Sequence, residues 1–299
     1  MQGTIREKWL AIPVLTIGIV AISFASILIK LCQAPSLVIA AYRLFIASLF
    51  YWAIVFLKKN SIRASLAPGQ LKIAVVSGLF LAVHFASWIT SLQYTSVASS
   101  VVLVQSAPIF VAIGGALFLG ERPSLLMTAG ILVSFVGAVT IGMHDFAFDP
   151  TSLPGNLLAL VGAIGASGYY LAGRKLRATL STLHYVTIVY SVAALILVAG
   201  ALVRGLSFIG YSPETFLLLF AIAMVPQVIG HTSLNWALKY FTAAAVAVVA
   251  LGEPIGASML AWTLLGEQLD AGKIIGGTFI LTGVIIVILA ESGGIVRKS

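Results

Sequence analysis

The chain has 299 residues, of which 60% are hydrophobic and only 9% are charged, whereas a soluble domain carries roughly 25% charged residues. This composition excludes a soluble globular protein and predicts a polytopic membrane protein. The net charge of +8 does not indicate nucleic-acid binding, because the basic residues lie at the ends of apolar runs and not along one soluble face.

The apolar runs are typical of helices. Glycine, alanine and serine are scattered through them, as expected where helices approach closely in lipid, and they lack the ten-residue alternation of a β-barrel. Ten runs are long enough to cross about 30 Å of hydrocarbon. They begin near residues 11, 37, 73, 97, 125, 157, 184, 214, 243 and 274. Most lysines and arginines then lie on one side, which predicts that both termini are cytoplasmic.

The second half of the sequence repeats the first. Residues 92–124 align without a gap to residues 238–270, so that Tyr94 matches Tyr240 and Pro108 matches Pro254. Each half contains five spans, an odd number, so the second half must enter the bilayer from the opposite side. The predicted fold is therefore all-α, a single transmembrane domain of ten helices. Two inverted repeats, residues 1–148 and 149–299, surround a central cavity.

Several segments resemble a known superfamily. They are the run A-P-I-F…L-F-L-G-E ending at Glu121, the run G-E-P-I…L-L-G-E ending at Glu267, the glycines after each run, and Arg43 in AAYRLFIASLF. These segments resemble the drug/metabolite transporter superfamily, specifically its ten-helix exporters with two EamA-type repeats, and most of all the bacterial aromatic amino acid exporters of the inner membrane. The resemblance implies a basket of helices, alternating access, and export without ATP hydrolysis. Consistently, no G-x-x-x-x-G-K-[ST] phosphate loop occurs.

Three polar residues lie along one face of the eighth span. Gln227, His231 and Asn235 are spaced i, i+4, i+8 and cannot face lipid without cost. They either line a water-accessible cavity that binds substrate or hydrogen-bond neighbouring helices. The cavity is the favoured interpretation.

The third span offers a second candidate pair, His84 and Trp88, again one helical turn apart. Stacking and cation–π contacts to such rings are worth about 0.5 to 2 kcal/mol each, enough to select an aromatic guest. The alternative for Trp88 is an anchor at the membrane surface. In the fourth span, Ser100 and Gln105 are expected to face the same cavity, although a serine in a membrane helix often bonds only its own backbone.

The first and sixth spans repeat a spacing that suggests mirrored gates. Ser23, Phe24, Ile27 and Lys30 approach one helix face in the first span, and Ser167, Tyr170 and Arg174 repeat the spacing i, i+3, i+7 in the sixth. Phe24 and Tyr170 are candidates for substrate contact. Lys30 and Arg174 are candidates for gating, with snorkelling to the membrane surface as the ordinary alternative.

Glu253 and Pro254 stand side by side within an apolar run. The prolines Pro108 and Pro254 occur in both halves, so they are expected to bend the fourth and ninth helices and to permit rocking. Glu253 matches Ala107 and belongs to the second half alone. It is either a paired structural carboxylate or a protonatable group that couples transport to protons.

These features predict a secondary exporter of aromatic or similar amphipathic amino acids in the bacterial inner membrane. The alternative within transporters is a broad exporter of cationic drugs or other metabolites. An intramembrane enzyme is disfavoured because neither H-E-x-x-H nor D-D-x-x-D occurs, and no cofactor or metal is expected. Glycines of the fifth and tenth spans serve either packing within the monomer or a homodimer through these helices.

Overall fold

The computed structural model describes residues 5–59, 61–95, 97–142, 150–265 and 271–293. Throughout these ranges the secondary structure is helical and contains no strand. The spans are α1 (Ile5–Leu31), α2 (Ser36–Leu57), α3 (Gln70–Ser91), α4 (97–119), α5 (Leu125–Gly142), α6 (Leu153–Arg177), α7 (Thr182–Val203), α8 (Pro213–Ala237), α9 (243–265) and α10 (Ala271–Gly293). Of these, nine are long and apolar enough to cross a membrane, and α5 is shorter.

The outer surface of the bundle is apolar. Large side chains such as Phe56, Leu195 and Leu217 are exposed, which water would penalise and which a lipid environment favours. This distribution is typical of a membrane protein, because apolar side chains face outward and polar side chains of the spans are buried between helices.

The helices α4 and α9 are interrupted at matching positions. In α4, residues 105 and 106 separate the helix Val97–Val104 from a second helix, Ala107–Gly114. In α9, Leu251 separates Ala243–Ala250 from Gly252–Leu265. Pro108 and Pro254 follow these breaks closely. Proline lacks an N–H and clashes with the preceding turn, so the helix cannot continue through it unchanged. Both helices are interrupted close to the expected prolines, and the function of these prolines in gating stays a prediction.

The packing of helices is symmetric under exchange of the two halves. Repeat mates pack on each other, since α2 contacts α7, α4 contacts α9, and α5 contacts α10. The remaining major contacts come in exchanged pairs: α3 packs on α6 as α8 packs on α1, and α4 packs on α6 as α9 packs on α1. This is the pattern of two repeats related by a pseudo-two-fold axis.

Two matched serines reinforce the exchanged contacts. The Ser167 hydroxyl donates to the carbonyl of Ala107 at 3.1 Å, and the Ser23 hydroxyl donates to the carbonyl of Glu253 at 3.4 Å. Each carbonyl belongs to the residue before the proline of the broken helix. The first helix of each half is thus attached to the break in the fourth helix of the other half.

Glycines bring α5 and α10 into backbone contact. A Cβ atom at Gly137 would lie 2.5 Å from the carbonyl oxygen of Gly276, and one at Gly283 would lie 2.5 Å from that of Gly130. No side chain fits at such distances. These glycines serve packing within one chain, so the face expected for a homodimer is already occupied. A dimer through the outer surfaces of α5 and α10 stays a prediction.

Candidate functional site

A cavity of about 50 Å³ lies between the two halves, where α1 to α4 meet α6, α8 and α9. Its polar lining consists of Arg43, His84, Gln105, His231 and Glu253. Pockets that hold small molecules usually have roughly 300 to 1,000 Å³. The helices must therefore move apart before the cavity can admit a solute the size of an amino acid.

Arg43 is the most deeply buried charged group of this cavity, with 0% of its surface exposed. Its Nε donates to Oε1 of Gln227 at 2.7 Å, and its guanidinium carbon lies 4.1 Å from the centre of the Phe85 ring. Its Nη1 and Nη2 have no hydrogen-bond partner among the described residues. A buried cation normally has all its donors paired, so the guanidinium of Arg43 lacks hydrogen-bond acceptors for two of its nitrogens among the described residues.

Glu253 lines the same cavity, together with Gln105. It follows the break in α9 at Leu251 and belongs to the first turn of the next helix segment, Gly252–Leu265. The cavity thus brings together a guanidinium and a carboxyl group from different halves of the protein.

The aromatic side of the cavity is built on α3. The glycine surface of α6 lets α3 approach closely, since a Cβ at Gly165 would lie 2.8 Å from the backbone nitrogen of His84. The His84 Nδ1–H donates to the carbonyl of Gly162 at 2.9 Å, which fixes the tautomer of the ring. The His84 and Trp88 rings are nearly parallel, at 6° with centroids 6.0 Å apart. Across from them, His231 meets Phe85 edge-on at 5.3 Å.

Trp88 faces the interior of the bundle and not its outer surface. Only 4% of it is exposed, it lines the cavity, and its Nε1 has no hydrogen-bond partner among the described residues. The interpretation of Trp88 as an interfacial anchor is therefore wrong, and its position agrees with contact to a solute. Tyr170 also lines the cavity, as expected, together with its neighbour Tyr169.

Two members of the α8 stripe do not line the cavity. Gln227 lies behind Arg43 and holds its Nε. Asn235 is fully buried, accepts a hydrogen bond from Tyr169 Oη at 2.6 Å and donates to Tyr190 Oη at 3.0 Å. Both amides are part of interhelical networks, the alternative that the sequence left open. The wide π-helical segment Ala223–His231 alters the helical spacing between Gln227 and His231.

Ser100 and Phe24 also lie away from the cavity lining. The Ser100 hydroxyl is 2.5 Å from that of Ser91, so it connects α4 to α3. In α1 the residues that reach the cavity are Ile22 and Ala25. Phe24 is two residues from Ile22, about 200° around the helix, and therefore faces elsewhere.

Arg174 forms an ion pair with Glu121 at one end of the bundle, and its gating role stays a prediction. Its Nε donates to Oε1 of Glu121 at 2.6 Å and its Nη1 donates to the carbonyl of Leu238 at 2.9 Å. The other Glu121 oxygen accepts from the backbone N–H of Ala243 at 3.4 Å. The pair joins the ends of α4 and α6 to the start of α9. Lys30, at the end of α1, is exposed, and its gating role stays a prediction.

The sequence interpretation did not assign a site role to Arg43 or Tyr169. The signal for Arg43 was present, because an arginine in the middle of an apolar span marks a functional site by default. In the sequence interpretation, Arg43 contributes only to the family resemblance. Tyr169 gave no comparable signal, since a tyrosine in a membrane helix is equally common as a packing residue.

Two mirrored helical halves around a buried polar cavity define a secondary membrane transporter. The sequence model of the EamA-like transporter family matches the chain twice, at residues 8–143 and 153–289. The chain belongs to the EamA-like transporter family, which confirms the predicted superfamily and the absence of an enzymatic role. The predicted boundary between residues 148 and 149 lies outside the described residues and stays a prediction.

Relatives and a solved structure agree with this assignment. An uncharacterized transporter of Archaeoglobus fulgidus is 27% identical over 90% of this chain and 93% of its own length. A pseudopaline exporter of Pseudomonas aeruginosa is 26% identical over 87% of this chain and 90% of its own length. A crystal structure with 17% identity superposes with a TM-score of 0.79, covering 95% of this chain and 98% of the other, and it supports the fold.

Proposed function

We propose that the protein exports aromatic or similar amphipathic amino acids by alternating access between its two halves. The observation that carries this proposal is one cavity that combines stacked aromatic rings, His84 and Trp88, with the guanidinium of Arg43 and the carboxyl group of Glu253. The rings suit an aromatic side chain. In their ionised forms, the guanidinium and the carboxyl group suit the carboxylate and ammonium groups of a zwitterion.

The proposal extends to the membrane and orientation. We place the protein in the bacterial inner membrane with both termini in the cytoplasm. This orientation rests on the concentration of lysine and arginine on that side of the spans. The relative named as an exporter, at 26% identity, supports export as the direction of transport.

Export of lipophilic cations is the alternative, and the cavity disfavours it. A cation in the cavity would share a small, desolvated space with the guanidinium of Arg43, and like charges repel strongly where water is excluded. Competition between phenylalanine and a lipophilic cation in one vesicle assay separates the two functions. Displacement of phenylalanine by the cation would favour the broader exporter.

The cavity assignment is tested by replacing Trp88 or His231 with alanine. Loss of one stacking or cation–π contact should reduce counterflow of labelled phenylalanine in proteoliposomes by about two- to thirtyfold. Trp262→Ala is the matched control, because Trp262 lies in α9 but is exposed toward lipid. Unchanged counterflow in both cavity variants, with the protein folded, would contradict the assignment.

A further inference from the structure

We propose that Arg43 is the carboxylate-binding residue of the transporter, and that its Nη1 and Nη2 groups hold the two oxygens of the solute's carboxylate. The inference rests on the proposed function and deepens it, because it names the chemical group that the cavity recognises. It concerns the carboxylate alone and does not depend on the aromatic side chain of the solute.

The hydrogen bonds of Arg43 leave one edge of its guanidinium free. Nε is used by Gln227 at 2.7 Å, and the Phe85 ring, 4.1 Å from the guanidinium carbon, faces the planar group. These two contacts fix the plane and its rotation. The edge formed by Nη1 and Nη2 has no hydrogen-bond partner among the described residues, and Arg43 lines the cavity. Two parallel N–H donors at this spacing match the two oxygens of a carboxylate.

Arg177 shows how this protein treats a buried arginine that has no ligand. It is 2% exposed, its Nε donates to the carbonyl of Asn235 at 3.0 Å, and its Nη1 donates to the carbonyl of Leu180. Backbone carbonyls therefore accept hydrogen bonds from both Nε and Nη1 of Arg177. Arg43 is at least as buried and lines the cavity, and its terminal donors have neither a carbonyl nor another partner among the described residues.

The charge balance of the cavity supports a carboxylate that arrives with a positive group. Glu253 lines the same cavity as Arg43, and its ionised carboxylate would balance the charge of the guanidinium. A solute that carries a carboxylate but no positive group would then set two negative charges, its own and that of Glu253, against the one positive charge of Arg43. A zwitterion brings one of each, and its ammonium group has the Glu253 carboxylate to accept its hydrogen bonds.

The test compares each acid with its amide, which has nearly the same shape but no negative charge. Melting temperatures of the detergent-solubilised protein are measured with L-phenylalanine or L-phenylalaninamide, because a ligand that binds the folded state raises the melting temperature. The wild type should be stabilised by the acid and not by the amide. Arg43→Gln should bind the acid about ten- to hundredfold more weakly, the effect of losing a charge-assisted bidentate bond.

Two further variants make the result specific. Arg43→Lys keeps the charge but lacks the planar fork, so it should bind the acid more weakly than the wild type while still preferring it to the amide. Arg177→Gln is the control for loss of a buried arginine. For each variant, the shift in melting temperature on adding ligand is measured relative to the same variant without ligand. Arg177→Gln should keep the wild-type preference for the acid.

Equal affinity of Arg43→Gln and the wild type for the acid would overturn the inference. If Arg43→Gln does not fold, the wild type decides, because equal stabilisation by acid and amide would also overturn it. If phenylalanine does not bind at all, the proposed substrate class fails, and aliphatic pairs such as L-leucine and L-leucinamide replace it. The inference is supported if the wild type prefers any of these acids to its amide and Arg43→Lys binds that acid more weakly. If the protein binds none of the acids, the inference is contradicted.

Discussion

Single residues show how far a helical pattern can predict a site. The stripe of Gln227, His231 and Asn235 identified a polar face of α8, yet only His231 lines the cavity. The spacing could not separate these roles, because both a wet cavity and an interhelical network satisfy polar groups in lipid. What separated them was the identity of the partners on other helices, Arg43 for Gln227 and two tyrosines for Asn235.

Asn235→Ala should therefore lower stability and leave substrate preference unchanged. It leaves the hydroxyls of Tyr169 and Tyr190 without their amide partner, and each buried group that loses its bond costs about 1–3 kcal/mol. Thermal unfolding in detergent measures the free energy of unfolding, and counterflow measures preference. Ser233→Ala is the matched control, because the Ser233 hydroxyl donates to the Ile229 carbonyl of its own helix and has no other partner in the part of the chain that the structure describes. An altered ranking of substrates would assign Asn235 to the binding site.

At the scale of helices, the sequence revealed the prolines that interrupt two spans but not the ion pair between Arg174 and Glu121 at one end of the bundle. The breaks in α4 and α9 follow from Pro108 and Pro254, which the repeat made visible in the sequence. The partner of Arg174 was not visible. Glu121 is 53 residues away, and the contact arises because α4 and α6 end together at one surface of the bundle.

Glu121→Gln should open this end of the protein more often. The pair is partly exposed, at 25% for Arg174 and 22% for Glu121, so its loss should change the opening equilibrium only about two- to tenfold. The measurement is the labelling rate, by an impermeant thiol reagent added from the Glu121 side, of a cysteine at position 247 in a Cys32→Ser background.

Glu214→Gln is the control for this experiment. Glu214 is an exposed carboxylate at the start of α8, and its replacement should leave the labelling rate unchanged. The same rate in Glu121→Gln and the parent protein would show that the Glu121–Arg174 pair does not hold this end closed.

At the scale of the whole molecule, the repeat and the odd number of spans per half predicted the architecture. The symmetric helix contacts and the two family matches, at residues 8–143 and 153–289, agree with it. The prediction succeeded at this level because hydrophobic length and internal repetition are properties of the chain itself and need no knowledge of contacts.

Inversion makes a direct prediction about sidedness. Cysteines placed at Arg122 and at its repeat mate Gln268, which lies outside the described residues, should react with an impermeant reagent from opposite sides of the membrane. Lys239→Cys and Arg204→Cys, both exposed, serve as references for the cytoplasmic and the opposite side. Labelling of positions 122 and 268 from the same side would contradict the inverted arrangement and the transport mechanism built on it.

The sequence by itself determined that this protein lies in a membrane, that it consists of two inverted halves, and that prolines break one helix in each half. The tertiary structure alone decided which side chains meet in the cavity. Arg43 and Gln227 are 184 residues apart, and the rotation of each helix about its axis is set by contacts with distant helices. A helical pattern records which residues share a face, but packing decides whether that face meets a cavity, a neighbouring helix or lipid.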